Sequence, residues 1–334
     1  MIFNMVGGGS GGDIDKSQII VTAESGSTVT CTNGTDVQTA SEDNGTWRFT
    51  GLDNGDWTVT ATKGDMSASK TVTIDRLTVL YISIVYRLVP DFTYTGEYAL
   101  VNDDDTELTD MEGNWKLRLL TSGTLTFTEV YGWDGAADVF LVGGGGGGGK
   151  GDSTLGRGCG GGGGYTMTSQ VDSVQAGVEY IIEIGGGGAA NSDGGSTSAF
   201  NIVAEGGKKG GTGGTSGGAG GSGGGGCGGN GGSDGSDGFS GTYHSPEPGG
   251  NGQGTTTREF GESDGTLYAG GGGGNAWGGS TTNFGIGGEG GGGDGKGSIA
   301  AESGTTNTGG GGGATTGAGG SGIVVIRNRR EVAA

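Results

Sequence analysis

The chain has 334 residues, enough for about two domains, and 91 of them are glycine. Its hydrophobic content of 30% lies well below the roughly 45–50% apolar content, glycine included, of ordinary globular domains, so an oily core cannot hold all of it. A net charge of −20 with seventeen scattered basic residues argues against nucleic-acid binding, which needs a basic stripe to neutralise phosphates. The same charge suits a soluble, extracellular or virion surface.

Residues 1–13 are a short apolar plug, Met1 to Val6, followed by a glycine-serine linker. The plug either docks onto another protein or is a frayed terminus. It lacks the charged start and long apolar run of a signal peptide, which fits assembly inside a host cell and release by lysis. No stretch of 18 apolar residues occurs, so no membrane-spanning helix and no membrane insertion are expected.

Residues 14–88 alternate apolar and Thr-rich positions with a period of two. Ile19 and Val21, Val29 and Cys31, Trp47 and Phe49, Trp57, Val59 and Ala61, and Val72 and Ile74 mark the inward face, and a last strand lies in 77–87. Asn44-Gly45, Asn54-Gly55 and Lys63-Gly64-Asp65 supply turns at the spacing of a sandwich. About seven strands of an immunoglobulin-like β-sandwich are expected. Residues 89–142 carry further strands, clearest at Leu117–Leu120, Thr124–Thr128 and Val139–Val142. Asp103-Asp104-Asp105 lacks the ligand spacing of a calcium loop and is expected to be a solvated turn.

Residues 143–334 hold 75 of the glycines. Gly210 to Thr215, Gly217 to Ser222 and Gly228 to Ser233 repeat with a period of three. That period matches an extended left-handed helix with no internal hydrogen bonds. Collagen is excluded, because it needs a strict proline-rich frame and this chain has three prolines. Side-by-side polyglycine-II helices, bonded to one another through their amides, would satisfy the backbone. Ordering glycine is entropically costly and each bond contributes only about 1 kcal/mol net, so such helices must form together as a bundle. Strand-like segments at Tyr165–Val171, Glu179–Ile184, Ala199–Val203 and Gly322–Arg327 would pin its ends. The fold class expected is thus all-β, a sandwich followed by strands and packed polyglycine-II helices.

Two resemblances add to this. Residues 51–61, Gly-Leu-Asp-Asn-Gly-Asp-Trp-Thr-Val-Thr-Ala, resemble the signature of carboxypeptidase-regulatory-like and Ig-like spacer modules. The series from Trp115 to Phe127, then Asp138 to Val142 with seven glycines, Gly160 to Tyr165, Gly177 to Gly185 and Gly319 to Ile326 resembles the glycine-rich domain of phage tail proteins, especially from phages of gut Firmicutes. A more distant likeness is to phage tail-fibre tip adhesins and to the glycine-rich domain of certain receptor tyrosine kinases. These resemblances imply a virion protein, made in the host cytoplasm, whose helix-connecting loops contact a bacterial surface glycan or protein. They also imply attachment to other tail or fibre proteins through the N-terminal segment, and a homo-oligomer, with a trimer among the options. A structural virion decoration, a head fibre, or a cellular glycine-rich surface protein is the alternative. Frame slips such as Lys208-Lys209 depart from the adhesin pattern.

Catalytic motifs are weak. Gly144 to Lys150 nearly spells a phosphate-binding loop, but Gly151 stands where Ser or Thr must hold magnesium. The one histidine, His244, sits in a proline-bearing loop, a poor setting for a triad base. Three cysteines, Cys31, Cys159 and Cys227, have no zinc spacing; Cys159 and Cys227 are either bridged or single buried thiols. No enzyme activity, cofactor or metal is expected. Glycine thins between residues 239 and 286, and large side chains appear. Tyr243, His244, Arg258, Phe260, Tyr268, Trp277 and Phe284 are the candidate receptor contacts. The alternative for these rings is that they cover the ends of the bundle.

Overall fold

The computed structural model describes residues 16–329, apart from 65, 87–88, 152–155, 213–214, 242–246, 276–283 and 297–299. The plug and linker at 1–13 lie outside the described residues. Among the described residues the regular elements are strands, with one short helical turn at Glu259–Gly261. The chain divides between residues 88 and 89 into two compact units.

The first unit holds β1 (Ser17–Thr22), β2 (Thr28–Thr32), β3 (Val37–Ala40), β4 (Glu42–Asp43), β5 (Thr46–Leu52), β6 (Gly55–Lys63), β7 (Met66–Ile74) and β8 (Val79–Ser83). They form two four-stranded sheets, ordered β4-β5-β1-β8 and β3-β2-β6-β7. The period-two residues face one another across the sandwich: Ile19, Val21, Trp47, Phe49 and Ile82 from one sheet pack with Val29, Cys31, Trp57, Val59 and Ala61 from the other. At the β4–β5 hairpin Asn44 and Gly45 both take positive φ, 51° and 73°, the two-residue turn whose twist matches that of the strands. The result is an immunoglobulin-like β-sandwich whose outer faces carry threonine pairs such as Thr58–Thr71, 2.8 Å apart.

The second unit holds β9 (Asp91–Tyr94), β10 (Tyr98–Val101), β11 (Lys116–Leu119), β12 (Gly123–Glu129), β13 (Ala137–Val142), β14 (Thr166–Val171), β15 (Glu179–Ile182), β16 (Thr197–Ala199), β17 (Ile202–Ala204) and β18 (Ile323–Asn328). A five-stranded sheet runs β10-β11-β18-β13-β14 and a three-stranded sheet runs β15-β12-β9. Leu117, Leu119, Val139, Leu141, Val324 and Ile326 face Leu125, Phe127 and Ile182 of the smaller sheet. The opposite face of the larger sheet is covered too, with Phe140, Val142, Ile323 and Val325 against Tyr268 and Ala269. A strand covered on both faces needs a nearly unbroken apolar run, and β13 and β18 supply one. The segment Ala199–Val203, expected as one strand, is a hairpin of β16 and β17. Phe200 and Asn201 both take positive φ, and the Phe200 ring is held against Tyr180 with centroids 4.7 Å apart.

Glycine runs continue the central strands without a turn. Residues 143–149 follow β13, residues 159–165 precede β14, and residues 317–322 precede β18. Every N–H from Gly143 to Gly149 donates to a neighbouring run, and the partners advance in steps of three. Gly143, Gly146 and Gly149 donate to Tyr165, Gly162 and Cys159; Gly144 and Gly147 donate to Gly195 and Ser192; Gly145 and Gly148 donate to Gly320 and Gly317, all at 2.8–2.9 Å. The carbonyls from Gly144 to Gly149 accept from three more runs, those containing Gly207 and Gly210, Gly188 and Asn191, and Gly312 and Thr315. One glycine rod is therefore surrounded by six others and bonded to all of them. A three-step alternation of partners is what a helix of three residues per turn presents to a hexagonal set of neighbours. The lattice accounts for the backbone groups that a glycine-rich segment would otherwise bury unpaired.

Close approach explains why these positions are glycine. A Cβ on Gly146 would lie 2.2 Å from the Lys208 carbonyl oxygen, on Gly147 2.1 Å from that of Ala189, and on Gly148 2.0 Å from that of Gly313. Each obstacle is backbone, which cannot swing aside. Lys208-Lys209 does not interrupt its rod. The Lys208 N–H bonds Ala219 O and its carbonyl accepts from Gly162, while both side chains are exposed. In the repeat from Gly210 to Thr215, by contrast, the Thr215 N–H donates back to Thr212 O at 3.1 Å.

Two substitutions separate lattice packing from glycine content as such. Gly146→Ala is expected to cost about 3 kcal/mol or more, an overpacking penalty against immovable backbone. Gly186 has open space where its Cβ would go, so Gly186→Ala is expected to be neutral or to stabilise by up to ~1 kcal/mol through the unfolded chain. Denaturant unfolding of the two variants beside the parent chain measures both; equal losses would sink the close-packing account.

Candidate functional site

The structure separates the seven candidate contact residues by environment. Tyr243, His244 and Trp277 lie outside the described residues. Tyr268 is only 3% exposed. Its ring packs on Phe140 at 5.4 Å and its hydroxyl donates to Glu259 Oε2 at 3.0 Å. Burial and the neighbouring Glu259 carboxylate push its hydroxyl pKa upward. Phe260 also packs on Phe140, at 5.9 Å, beneath the Arg327 guanidinium, which sits 4.0 Å from the ring centroid in a cation–π stack. Tyr268 and Phe260 thus close the outer face of the five-stranded sheet. Arg258 is half-buried; its Nη1 donates to Gly265 O at 3.0 Å and its Nε lies 3.5 Å from Asp234 Oδ2. Phe284 is half-buried beside the buried Asn275, its bridge partner.

The loop bearing these residues is fixed by ion pairs. Glu259, 3% exposed, accepts from Lys116 Nζ at 3.2 Å and Arg118 Nη2 at 3.0 Å. Asp105 pairs with the same two cations at 2.8 and 2.9 Å. Arg327 binds Glu262 through both terminal nitrogens, at 3.0 and 2.7 Å, and Asp138 through Nε at 3.1 Å. The aspartate turn therefore does more than face solvent: Asn102 Oδ1 caps it by accepting from Asp104 and Thr106, and Asp105, at φ 58°, reaches back to the sheet. Between turn and loop lies a groove of about 510 Å³, lined among others by Asp103, Asp104, Lys116, Glu262 and Asp264. It offers carboxylates as hydrogen-bond acceptors, and its lining contains neither histidine nor cysteine. The near-match to a phosphate loop is disposed of by geometry. The N–H groups of Gly144 to Gly149, which would have to cradle phosphate, are all spent on lattice bonds.

An exposed apolar pair lies elsewhere on the lattice. Phe239 is 64% exposed and Ile286 59% exposed. Both flank Asn230, whose carbonyl accepts from the Phe239 N–H and whose Oδ1 accepts from the Ile286 N–H, each at 2.9 Å. Ile286 was not legible as a surface residue, because among glycines a lone isoleucine reads as core. Of the two readings open for Cys159 and Cys227, the structure shows buried thiols, and it brings them together: their Sγ atoms lie 2.9 Å apart, with the Glu247 carboxylate beside them. No helix among the described residues is long and apolar enough to cross a membrane.

The ion-paired loop makes a stability prediction. Glu259→Gln leaves Lys116 and Arg118 with half their counter-charge in a buried setting and is expected to cost about 3 kcal/mol. Tyr268→Phe removes one hydrogen bond from the same carboxylate and is expected to cost about 1 kcal/mol. Thermal unfolding of both variants checks the order of the two effects.

Comparison with curated proteins yields no match. Among solved structures, the crystal structure of a DUF3823 family protein from Bacteroides uniformis is similar over 50% of this chain and 88% of its own length, at 10% identity and a TM-score of 0.16, too low to bear on fold or function. The family model described as glycine-rich domain matches residues 120–329, the span that contains β13, β14 and β18 of the larger sheet, the glycine rods and the loop that covers them. This chain belongs to the glycine-rich domain family.

Proposed function

We propose that this protein is a bacteriophage tail or fibre component that acts as a receptor-binding adhesin, with the glycine lattice as a rigid mount for host-contacting side chains. The observation that carries this is the pair Phe239 and Ile286, held out to solvent on either side of Asn230 with their own backbone N–H and C=O groups all bonded. Exposed aromatics on a rigid support are what recognition surfaces use, since little entropy is lost on binding. The acidic chain, with its net charge of −20, suits a particle surface. The ligand class is a bacterial surface glycan or protein, and the sandwich serves as a spacer. In this proposal Phe239 and Ile286 join Trp277 as contacts, while Tyr268 and Phe260 maintain the mount. A purely structural role on the virion is the competing proposal.

Removing residues 239–286 would not test this, because Gly250 and Gly271 to Gly274 are lattice members. Point changes do. The double substitution Phe239→Ala with Ile286→Ala is expected to lower binding of labelled full-length chain to susceptible bacterial cells about tenfold or more, the loss of one interface anchor, while the melting temperature is unchanged. If neither this variant nor Trp277→Ala altered binding, the structural role would take its place.

A further inference from the structure

Cys159 and Cys227 stand 68 positions apart and meet inside the lattice. Cys159 opens the rod 159–165, bonding Gly211 through its N–H and Gly149 through its carbonyl. Cys227 ends a neighbouring rod, already tied to the first by Gly160 to Gly225 and Gly163 to Ser222. Both side chains are buried, and their sulfurs are 2.9 Å apart. Two ligand sulfurs on a tetrahedral zinc, each about 2.3 Å from the metal, would stand roughly 3.8 Å apart. A disulfide needs roughly 2.05 Å. The observed separation is already inside the zinc value, and less than 1 Å of sulfur movement completes a bond.

We propose that Cys159 and Cys227 are a redox pair whose disulfide covalently ties two neighbouring rods of the glycine lattice. In a reducing compartment they remain thiols; in an oxidising medium the bond closes. A low-molecular-weight disulfide, such as oxidised glutathione, is the oxidant. One cysteine sulfur, as thiolate, attacks it, forming a mixed disulfide and releasing one glutathione thiolate. The second cysteine sulfur then displaces the other glutathione. Two electrons leave the cysteine pair, its two thiol protons end on two glutathione thiols, and one S–S bond is exchanged for another. Neighbouring Cys159, burial and the Glu247 carboxylate all raise the Cys227 thiol pKa; the attacking species is a thiolate, so closure quickens as pH rises. Cys31 is an internal control. It is buried in the core of the first unit, and burial pushes its thiol up to about 11.

The test uses the full chain, equilibrated in reduced or in oxidised glutathione and then denatured for thiol titration. The reduced protein is expected to show three thiols and the oxidised protein one. The oxidised intact mass should fall by about 2 Da, with a peptide linking Cys159 to Cys227. Reduction should lower the melting temperature of the glycine-rich unit by roughly 5–10 °C, as expected for a bond closing a loop of this length. Cys31→Ser should retain the two-thiol loss, and Cys227→Ser should abolish it. Should Cys227→Ser fail to fold, the thiol count and peptide map of the parent chain decide alone. Three thiols after oxidation would overturn the proposal. So would one equivalent of zinc, found by elemental analysis of the reduced chain, that blocks oxidation until a chelator removes it.

Discussion

The structure of the larger unit depends on one constraint: a backbone amide buried away from water must find a partner. Side chains cannot help in a segment that has almost none. Strands bond in one plane only and leave two faces to be covered. A helix of three residues per turn points its amides in three directions, so an interior rod such as 143–149 bonds to a ring of neighbours. The absence of a Cβ is the geometric condition for this, because carbonyl oxygens occupy the space where side chains would start, about 2 Å from each would-be Cβ along residues 143–149. The usual division of labour, with side chains filling the interior and backbone bonds ordering it, is replaced here by backbone doing both.

That arrangement needs a seed, since each glycine loses more conformational freedom on ordering than any other residue. The five-stranded sheet has the geometry for one. β18, β13 and β14 already lie side by side in register, and their glycine extensions leave the sheet as adjacent rods. Thr197 marks the junction: fully buried, it donates to Val142 O at 2.7 Å and accepts from the Gly185 N–H at 3.0 Å. The apolar core under the sheet and the ion-paired loop over it fix the ends of three rods, and the remaining rods are bonded to these and to one another. Stability on this scheme is cooperative, because each rod is bonded to its neighbours and little to itself.

The proposed contact surface rests on the same physics. Outward positions of an outer rod are free to carry any side chain, as Lys208 and Lys209 do, and large residues there are displayed on a backbone that barely yields. Phe239 and Ile286 sit in that setting. Tyr268 and Phe260 lie in the same stretch of sequence but belong to the sheet cover, where their rings replace solvent over Phe140.

The amino-acid pattern alone determined the strands and the rods. Alternation at Trp47, Phe49, Trp57 and Val59 calls for a half-buried strand, the unbroken run at β13 for a doubly covered one, and Gly-Gly-X repeats and unbroken glycine runs for the three-fold helix. Tertiary structure alone decided which rods are neighbours, which of the aromatics face solvent, and that Cys159 meets Cys227. The reason is that one glycine run is chemically the same as another. Without side chains to tell partners apart, adjacency is set by the register of the strands at the rod ends and by the turns between rods, and neither is written in the runs themselves.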